Sequence, residues 1–223
     1  QTKGLFQLGE SLGMSKTAVK IKPTTYPDIA LIIAIFRPGP MDNIDEYVRR
    51  RRGKTKVTYL SKDIENVLKD TYGILIYQEQ ISQIAQVMAG LSPSEADVFR
   101  SAVSKKKKEV LDSQRKAFIE GSIKNGYKEK DVLNMFETIE KFANYGFNKA
   151  HAYSYAILTS RMAYLKAHYP LEFYTSLVEI SSGANDVKFA EYMQEMKKRN
   201  IHVLVPDINK STLHFEAVNN DLL

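Results

Sequence analysis

Residues 144–170, NYGFNKAHAYSYAILTSRMAYLKAHYP, decide how the rest of the chain is read. The opening Asn-Tyr-Gly-Phe-Asn spells a loop in which Gly146 offers backbone conformations closed to other residues. Asn148 is a competent helix N-cap, and no Gly or Pro follows until Pro170. About twenty residues at roughly 1.5 Å each predict a helix of about 30 Å, enough to cross a domain. Polar side chains crowd its start (Asn144, Asn148, Lys149, His151, Ser154, Tyr155), while Ile157, Leu158, Met162, Ala163 and Leu165 supply apolar body further on. Unpaired N–H groups and a partial positive charge at a helix start favour an anion. Lys149 is disfavoured there by the dipole alone, a mismatch that a bound anion would resolve. The pattern predicts a phosphate-facing helix start on a buried shaft.

Outside this stretch, 223 residues suffice for one large domain, or one domain with an appendage, around a real core. Hydrophobic content of 43% and charged content of 26% are those of a soluble globular protein. The longest apolar run, residues 29–36, is too short to span a membrane. The chain begins with Gln1 rather than Met and shows no signal peptide, which points to a segment of a longer polypeptide. With no cysteine there is neither a disulfide framework nor thiolate chemistry, in keeping with a cytoplasmic origin. His151, His168, His202 and His214 have no metal-ligand spacing, so no metal site is expected. The net charge of +6 is unevenly spread. Arg49, Arg50, Arg51 and Arg52 form one cluster with Lys54 and Lys56, and residues 105–108 are four lysines. Two such runs and a cationic helix start favour a nucleic acid or nucleotide partner over a merely solvated surface.

Taken in order, residues 5–8 read as a short strand or loop tail and residues 15–22 as a short helix closed by Pro23. Pro27 and Asp28 suit the first turn of a buried helix, which Arg37-Pro38-Gly39-Pro40 ends; Arg37 beside that rigid turn is a candidate phosphate ligand. Asn43 is read as the cap of a helix running into the arginine cluster before Gly53. Ser61 opens a helix to about Asp70, and residues 74–77 are an apolar run before Gln78-Glu79-Gln80. The helix that follows carries Ile81, Ile84, Ala85 and Met88 at core spacing and stops at Gly90. Ser92-Pro93-Ser94-Glu95 is a capping box. Further amphipathic helices are predicted over 109–124, with Phe118 and Ile123 inward, and over 131–142. A helix over 171–180, a linker at 181–183, a helix over 186–199 capped by Asp186, and a strand at 201–205 complete the chain. The fold class is mainly α: a multi-helix domain with a small mixed α/β C-terminal extension. Its predicted divisions are 1–22, 23–182 and 183–223. His168, Tyr155, Tyr164 and Tyr169 read as packing residues rather than site residues.

Five phrases occur here in one order. They are Phe36-Arg37-Pro38-Gly39-Pro40, Thr71-Tyr72-Gly73 leading to Tyr77-Gln78-Glu79-Gln80, Ser104-Lys105-Lys106-Lys107, residues 145–151 (YGFNKAH), and Lys166-Ala167-His168-Tyr169-Pro170. Over residues 4–215 the chain resembles the fingers region of the bacterial C-family replicative DNA polymerases, the polymerase III alpha subunits. It is most similar in wording to the DnaE type of low-GC Gram-positive bacteria. The resemblance implies fingers that close over the incoming deoxynucleoside triphosphate and the templating base of primer-template DNA. It implies that Asn148, Lys149 and His151 face the triphosphate, with Tyr145 shaping the nucleotide pocket. Arg100 matches the first of a pair of phosphate-facing arginines, the second being replaced by Ser101, and Lys105, Lys106 and Lys107 match the lysine run behind it. Arg49–52, with Lys106 and Lys107, are the candidate DNA-backbone contacts, and a solvated helix end is the other reading of the arginines.

Such polymerases work with Mg²⁺ held by palm carboxylates, and their sliding clamp and other replisome subunits are partners of the whole enzyme. No Asp-x-Asp occurs in this sequence; in Pro206-Asp207-Ile208-Asn209 an Asn stands where a second carboxylate would be needed. The chain by itself is therefore expected to bind no metal and not to polymerise. A reading of another class, a stand-alone helical nucleic-acid-binding protein, explains the basic clusters but not the ordered phrases.

Overall fold

The structure is a computed structural model that describes residues 2–105, 108–219 and 221–223. In order the elements are α1 (Leu12–Ile21), α2 (Tyr26–Ile35), a 3₁₀ turn (Pro40–Asn43), α3 (Ile44–Arg51), α4 (Lys62–Leu68), a 3₁₀ turn (Lys69–Thr71), α5 (Gln78–Ala89) and α6 (Pro93–Lys105). There follow α7 (Lys108–Lys124), α8 (Glu129–Phe142), α9 (Lys149–His168), α10 (Pro170–Ser181), α11 (Asp186–Lys197), β1 (Ala217–Val218) and β2 (Asp221–Leu222). The fold is mainly α with a small mixed C-terminal piece, as the sequence predicts. Two compact units divide it: one is Ala30–Ser154, and the other takes the chain up to Ile29 together with Tyr155–Leu223.

In the 30–154 unit α5 is the central helix. Ile81, Ile84, Ala85 and Met88 are all buried, and α4, α6 and α7 pack on it. Full burial of the Ile81, Ile84 and Met88 side chains contributes about 1.5–3 kcal/mol each. Phe99 of α6, Phe118 of α7 and Phe136 of α8 close the core, with ring centroids 5.2–6.2 Å apart. The helix ends follow from local chemistry. Gly90 stops α5 at φ 70°, and Ser92 and Glu95 cap α6 reciprocally: the Ser92 N–H donates to Glu95 Oε2 (2.8 Å) and the Glu95 N–H to Ser92 Oγ (3.3 Å). At Gly121 α7 meets the end of α5, where a Cβ would lie 2.4 Å from the Ala89 carbonyl oxygen. The inward face of α7 therefore runs through Phe118 and Ser122, and Ile123, expected in the core, is 43% exposed.

The extended run 74–77 is held from within. Gln80, 4% exposed, accepts the Ile76 and Tyr77 N–H groups on Oε1 (2.9 and 3.0 Å), and its Nε2 donates to Thr71 Oγ1 (2.8 Å). Its burial supplies the reason that a polar residue at the head of an apolar helix requires.

The other unit contains most of α9, and here the buried shaft is corrected. Ile157, Leu158 and Leu165 are 42%, 47% and 47% exposed, whereas Ala156, Thr159 and Lys166 turn inward. Two small side chains and a lysine form the inward face, so apolar bulk misidentifies which face is buried. Tyr164 and Tyr169 likewise lie outside the core, with Tyr164 against His168 at 4.3 Å between centroids; the buried tyrosines are Tyr47, Tyr77, Tyr174 and Tyr192. Thr159 Oγ1 donates to the Phe6 carbonyl (3.1 Å), and Lys166 Nζ donates to the Lys3 carbonyl. Lys166 Nζ and the Arg199 guanidinium both lie against the Tyr174 ring, at 5.7 and 5.5 Å. Burial first, and Arg199 second, pull the Lys166 ammonium down to about 8.

Several boundaries move. Ser11, not Ser15, opens α1, accepting the Met14 N–H (3.1 Å). Asn43 makes no side-chain cap, because the 3₁₀ turn leads straight into α3. Asn185 rather than Asp186 caps α11, accepting the Lys188 N–H at 3.0 Å. The strand expected at 201–205 reduces to a parallel bridge from Val203 to Leu222, and the antiparallel pair β1–β2 was not foreseen.

Two predictions follow from these contacts. Gln80→Ala leaves two buried N–H groups without their acceptor, and about 1–3 kcal/mol for each predicts a loss of roughly 2–6 kcal/mol in urea unfolding. A loss under about 0.5 kcal/mol would mean that water replaces the amide. For Lys166 the folded value is about 8 and the ordinary one 10.5, so between them the unfolded chain binds a proton that the folded one does not. Folding stability should therefore rise with pH across that window. The melting temperature of the parent relative to Lys166→Met should climb from pH 8 to pH 10, and a flat difference would contradict it.

Candidate functional site

The site grows from one short pairing. Phe147 lies parallel to Tyr77: its N–H donates to the Ile76 carbonyl (3.1 Å) and its carbonyl accepts the Gln78 N–H (2.9 Å). Helix α5 begins at Gln78 and α9 at Lys149, so this pairing sets two helix starts side by side. Glu79, in the first turn of α5, accepts the Lys149 N–H on both carboxylate oxygens, each at 3.0 Å. Asn148 caps α9 as predicted, its Oδ1 accepting the His151 N–H at 2.8 Å. Two of the leading N–H groups, expected to be open, are thereby occupied. Glu79 and Asn148 already take those of Lys149 and His151.

The loop before α9 is fixed from three sides. Gly146 is needed for space rather than for a positive φ, since a Cβ there would lie 2.7 Å from Gln78 Cγ. Gly39, at φ 92°, lies under Tyr145, whose ring a Cβ would meet at 2.7 Å. Arg37, a candidate phosphate ligand in the sequence, instead holds the loop: Nη2 donates to the Tyr145 carbonyl (2.7 Å), Nε to the Ala34 carbonyl (3.1 Å), and the guanidinium stacks over Phe147 at 4.3 Å. On the α6 side Ser104 Oγ donates to the Ala143 carbonyl at 3.2 Å.

Of the sequence-predicted nucleotide residues, Tyr145, Asn148, Lys149 and His151 lie together here. The Lys149 ammonium sits over the Tyr77 and Tyr153 rings, 5.7 and 5.5 Å from their centroids. Burial, and Tyr153 beside it, push the Tyr77 phenol far above its ordinary value, so it stays neutral. The exposed His151 ring lies edge-on to Phe147 at 5.3 Å. Arg100 joins through Gln78 Oε1 (3.5 Å), while its Nε and Nη2 are on Asp97 at 3.0 and 2.7 Å. Lys105 is exposed at the end of α6; Lys106 and Lys107 lie outside the described residues.

The arginine cluster is partly neutralised. Arg50 and Arg49 both bind Glu46 (2.7 and 2.8 Å), holding its carboxyl below the usual carboxylate value, and Arg50 Nη1 also donates to the Tyr72 carbonyl (2.9 Å). Arg51 and Arg52 close the same helix. A cavity of about 540 Å³ runs between Arg50 and Glu46 of α3 and Phe142 and Tyr145 beside the loop, floored by Ile74 and Leu75. Among the described residues no three His, Asp or Glu side chains are grouped to hold a metal ion, and no helix is long and apolar enough to cross a membrane. Glu79 is the residue that sequence reasoning passed over. Its signal was the polar trio Gln78-Glu79-Gln80 at the head of an apolar helix.

A family model described as the bacterial DNA polymerase III alpha subunit finger domain matches residues 1–126. The DNA polymerase III subunit alpha of Bacillus subtilis is 45% identical over 221 residues, 99% of this chain and 20% of that protein. The corresponding subunit of Halalkalibacterium halodurans is 46% identical over 215 residues, 96% of this chain and 19% of that protein. That of Thermus aquaticus is 42% identical over 228 residues, covering all of this chain and 18% of its own length. The chain thus spans about a fifth of the length of the relatives it matches.

Proposed function

Since the chain belongs to the bacterial DNA polymerase III alpha subunit finger-domain family, we propose that it forms the fingers of a replicative DNA polymerase and receives the incoming deoxynucleoside triphosphate. The observation that carries this reading is the meeting of Tyr145, Asn148, Lys149, His151 and, through Gln78, Arg100 at two adjoining helix starts. Phosphoryl transfer asks little covalent chemistry of a protein; positioning and charge neutralisation do most of the work. Lys149, Arg100 and Lys105 supply cations toward the phosphates, His151 supplies a ring nitrogen for hydrogen bonding, and Tyr145 borders the nucleoside. To reach a phosphate the Lys149 side chain leaves the two tyrosine rings, which its flexible stem allows. The metal ion of phosphoryl transfer is assigned to no carboxylate of this chain. Residues 49–52 are proposed to contact primer-template backbone. The sliding clamp and the other replisome subunits are proposed partners of the whole subunit.

In a full-length alpha subunit carrying this segment, Lys149→Ala and His151→Ala should each lower kcat/KM for nucleotide by about tenfold or more, at about 1.4 kcal/mol per factor of ten. Primer-template affinity should change far less. Unchanged nucleotide kinetics, or equal losses in DNA binding and nucleotide use, would place the triphosphate elsewhere. The chain alone, lacking any Asp-x-Asp, should extend no primer at any Mg²⁺ concentration. Extension that persists through repeated purification would overturn that expectation.

A further inference from the structure

We propose that Glu79 is a positioning residue of the nucleotide site, acting through the start of α9; the inference rests on the nucleotide reading above. Its two carboxylate oxygens converge on a single donor, the Lys149 N–H, at 3.0 Å each. Glu79 sits in the first turn of α5, next to Gln78, whose own N–H is spent on Phe147. The contact therefore joins the first turns of two helices that are otherwise connected by the Phe147 pairing. It fixes where the Lys149 backbone begins, and hence the cone within which the Lys149 and His151 side chains swing. Asn148, whose Oδ1 accepts the His151 N–H, completes the frame from the other side.

The hydrogen bond from Lys149 to Glu79 has a second consequence. The Glu79 carboxylate occupies the Lys149 N–H, so an incoming polyphosphate does not take that donor. It meets the cationic side chains instead of the backbone. Glu79 touches no reacting atom in this scheme; it sets the direction from which the cations approach.

The test uses the full-length subunit carrying this segment, with Glu79→Ala and Glu79→Gln. The glutamine carbonyl retains one acceptor for the Lys149 N–H, so it should rescue what alanine loses. Glu79→Ala should lower kcat/KM for nucleotide by about tenfold or more, while Glu79→Gln stays within roughly threefold of the parent. Both should keep the parent's primer-template Kd. If Glu79→Ala does not fold, Glu79→Asp, one methylene short of the donor, takes its place with the same expectation. Parent-like kinetics for the alanine or aspartate variant overturn the proposal, as does a glutamine variant equally damaged at parental melting temperature. The two readings fail differently. Inert Lys149→Ala and His151→Ala variants would remove the nucleotide site itself. Impaired ones beside a parent-like Glu79→Ala would remove only the positioning role.

Discussion

Two backbone hydrogen bonds, between Phe147 and the run 76–78, hold the candidate site together. Each contributes a modest net amount, about 0.5–1.5 kcal/mol, but their position gives them reach. They fix where α5 and α9 begin, and the surrounding residues answer to them. Gln80 takes the Ile76 and Tyr77 N–H groups that this pairing leaves without a backbone acceptor. Gly146 is glycine because the pairing brings Gln78 against it, and Arg37 grips the Tyr145 carbonyl two residues upstream. Local sequence, loop conformation and site geometry thus meet at one residue pair.

That geometry changes the electrostatics expected of a helix start. A bare N-terminus attracts anions through its N–H groups and partial charge. Here Glu79 provides an anion at fixed position, bonded to the N–H of Lys149. By the dipole alone Lys149 is a cation that only a bound anion makes tolerable; its contacts within the protein do so instead. Lys149 has its own ammonium over two neutral tyrosine rings and its own N–H on a carboxylate. It is stabilised by these contacts and carries a long, flexible stem.

The helices were legible because their signals are local. Ser92 and Glu95 cap as written, Gly90 and Gly126 stop their helices at positive φ, and Ile81, Ile84, Ala85 and Met88 face inward. The errors come from tertiary contact. Which face of α9 is buried depends on what packs there, and Ala152, Ala156 and Thr159 win because their small side chains admit a close neighbour. Apolar count alone put Ile157, Leu158 and Leu165 inside. The β1–β2 pair is two residues per strand, too short for an alternation pattern to register. Tyr145, Asn148, Lys149 and His151 could be singled out together because they fall within one short stretch, residues 145–151. Glu79 escaped because its partner lies 70 positions away and is a backbone N–H, which leaves no mark on side-chain patterns.

Arginine is where cation counting misleads most. Arg37 donates to the Tyr145 and Ala34 carbonyls, Arg50 to Glu46 and the Tyr72 carbonyl, and Arg100 to Asp97 and Gln78. The planar fork of donors that makes arginine a good phosphate ligand makes it equally good at tying loops and helices together. A basic run in the sequence therefore overstates the charge available to a polyanion, since part of each guanidinium is already engaged by carbonyls and carboxylates. Arg49 and Arg50 share one Glu46, so α3 presents less positive charge than four consecutive arginines imply. Lysine, a point charge on a flexible stem, is less bound by such geometry. The arginines named here help to fix the frame, whereas the Lys149 ammonium lies over two ring faces and Lys105 is exposed.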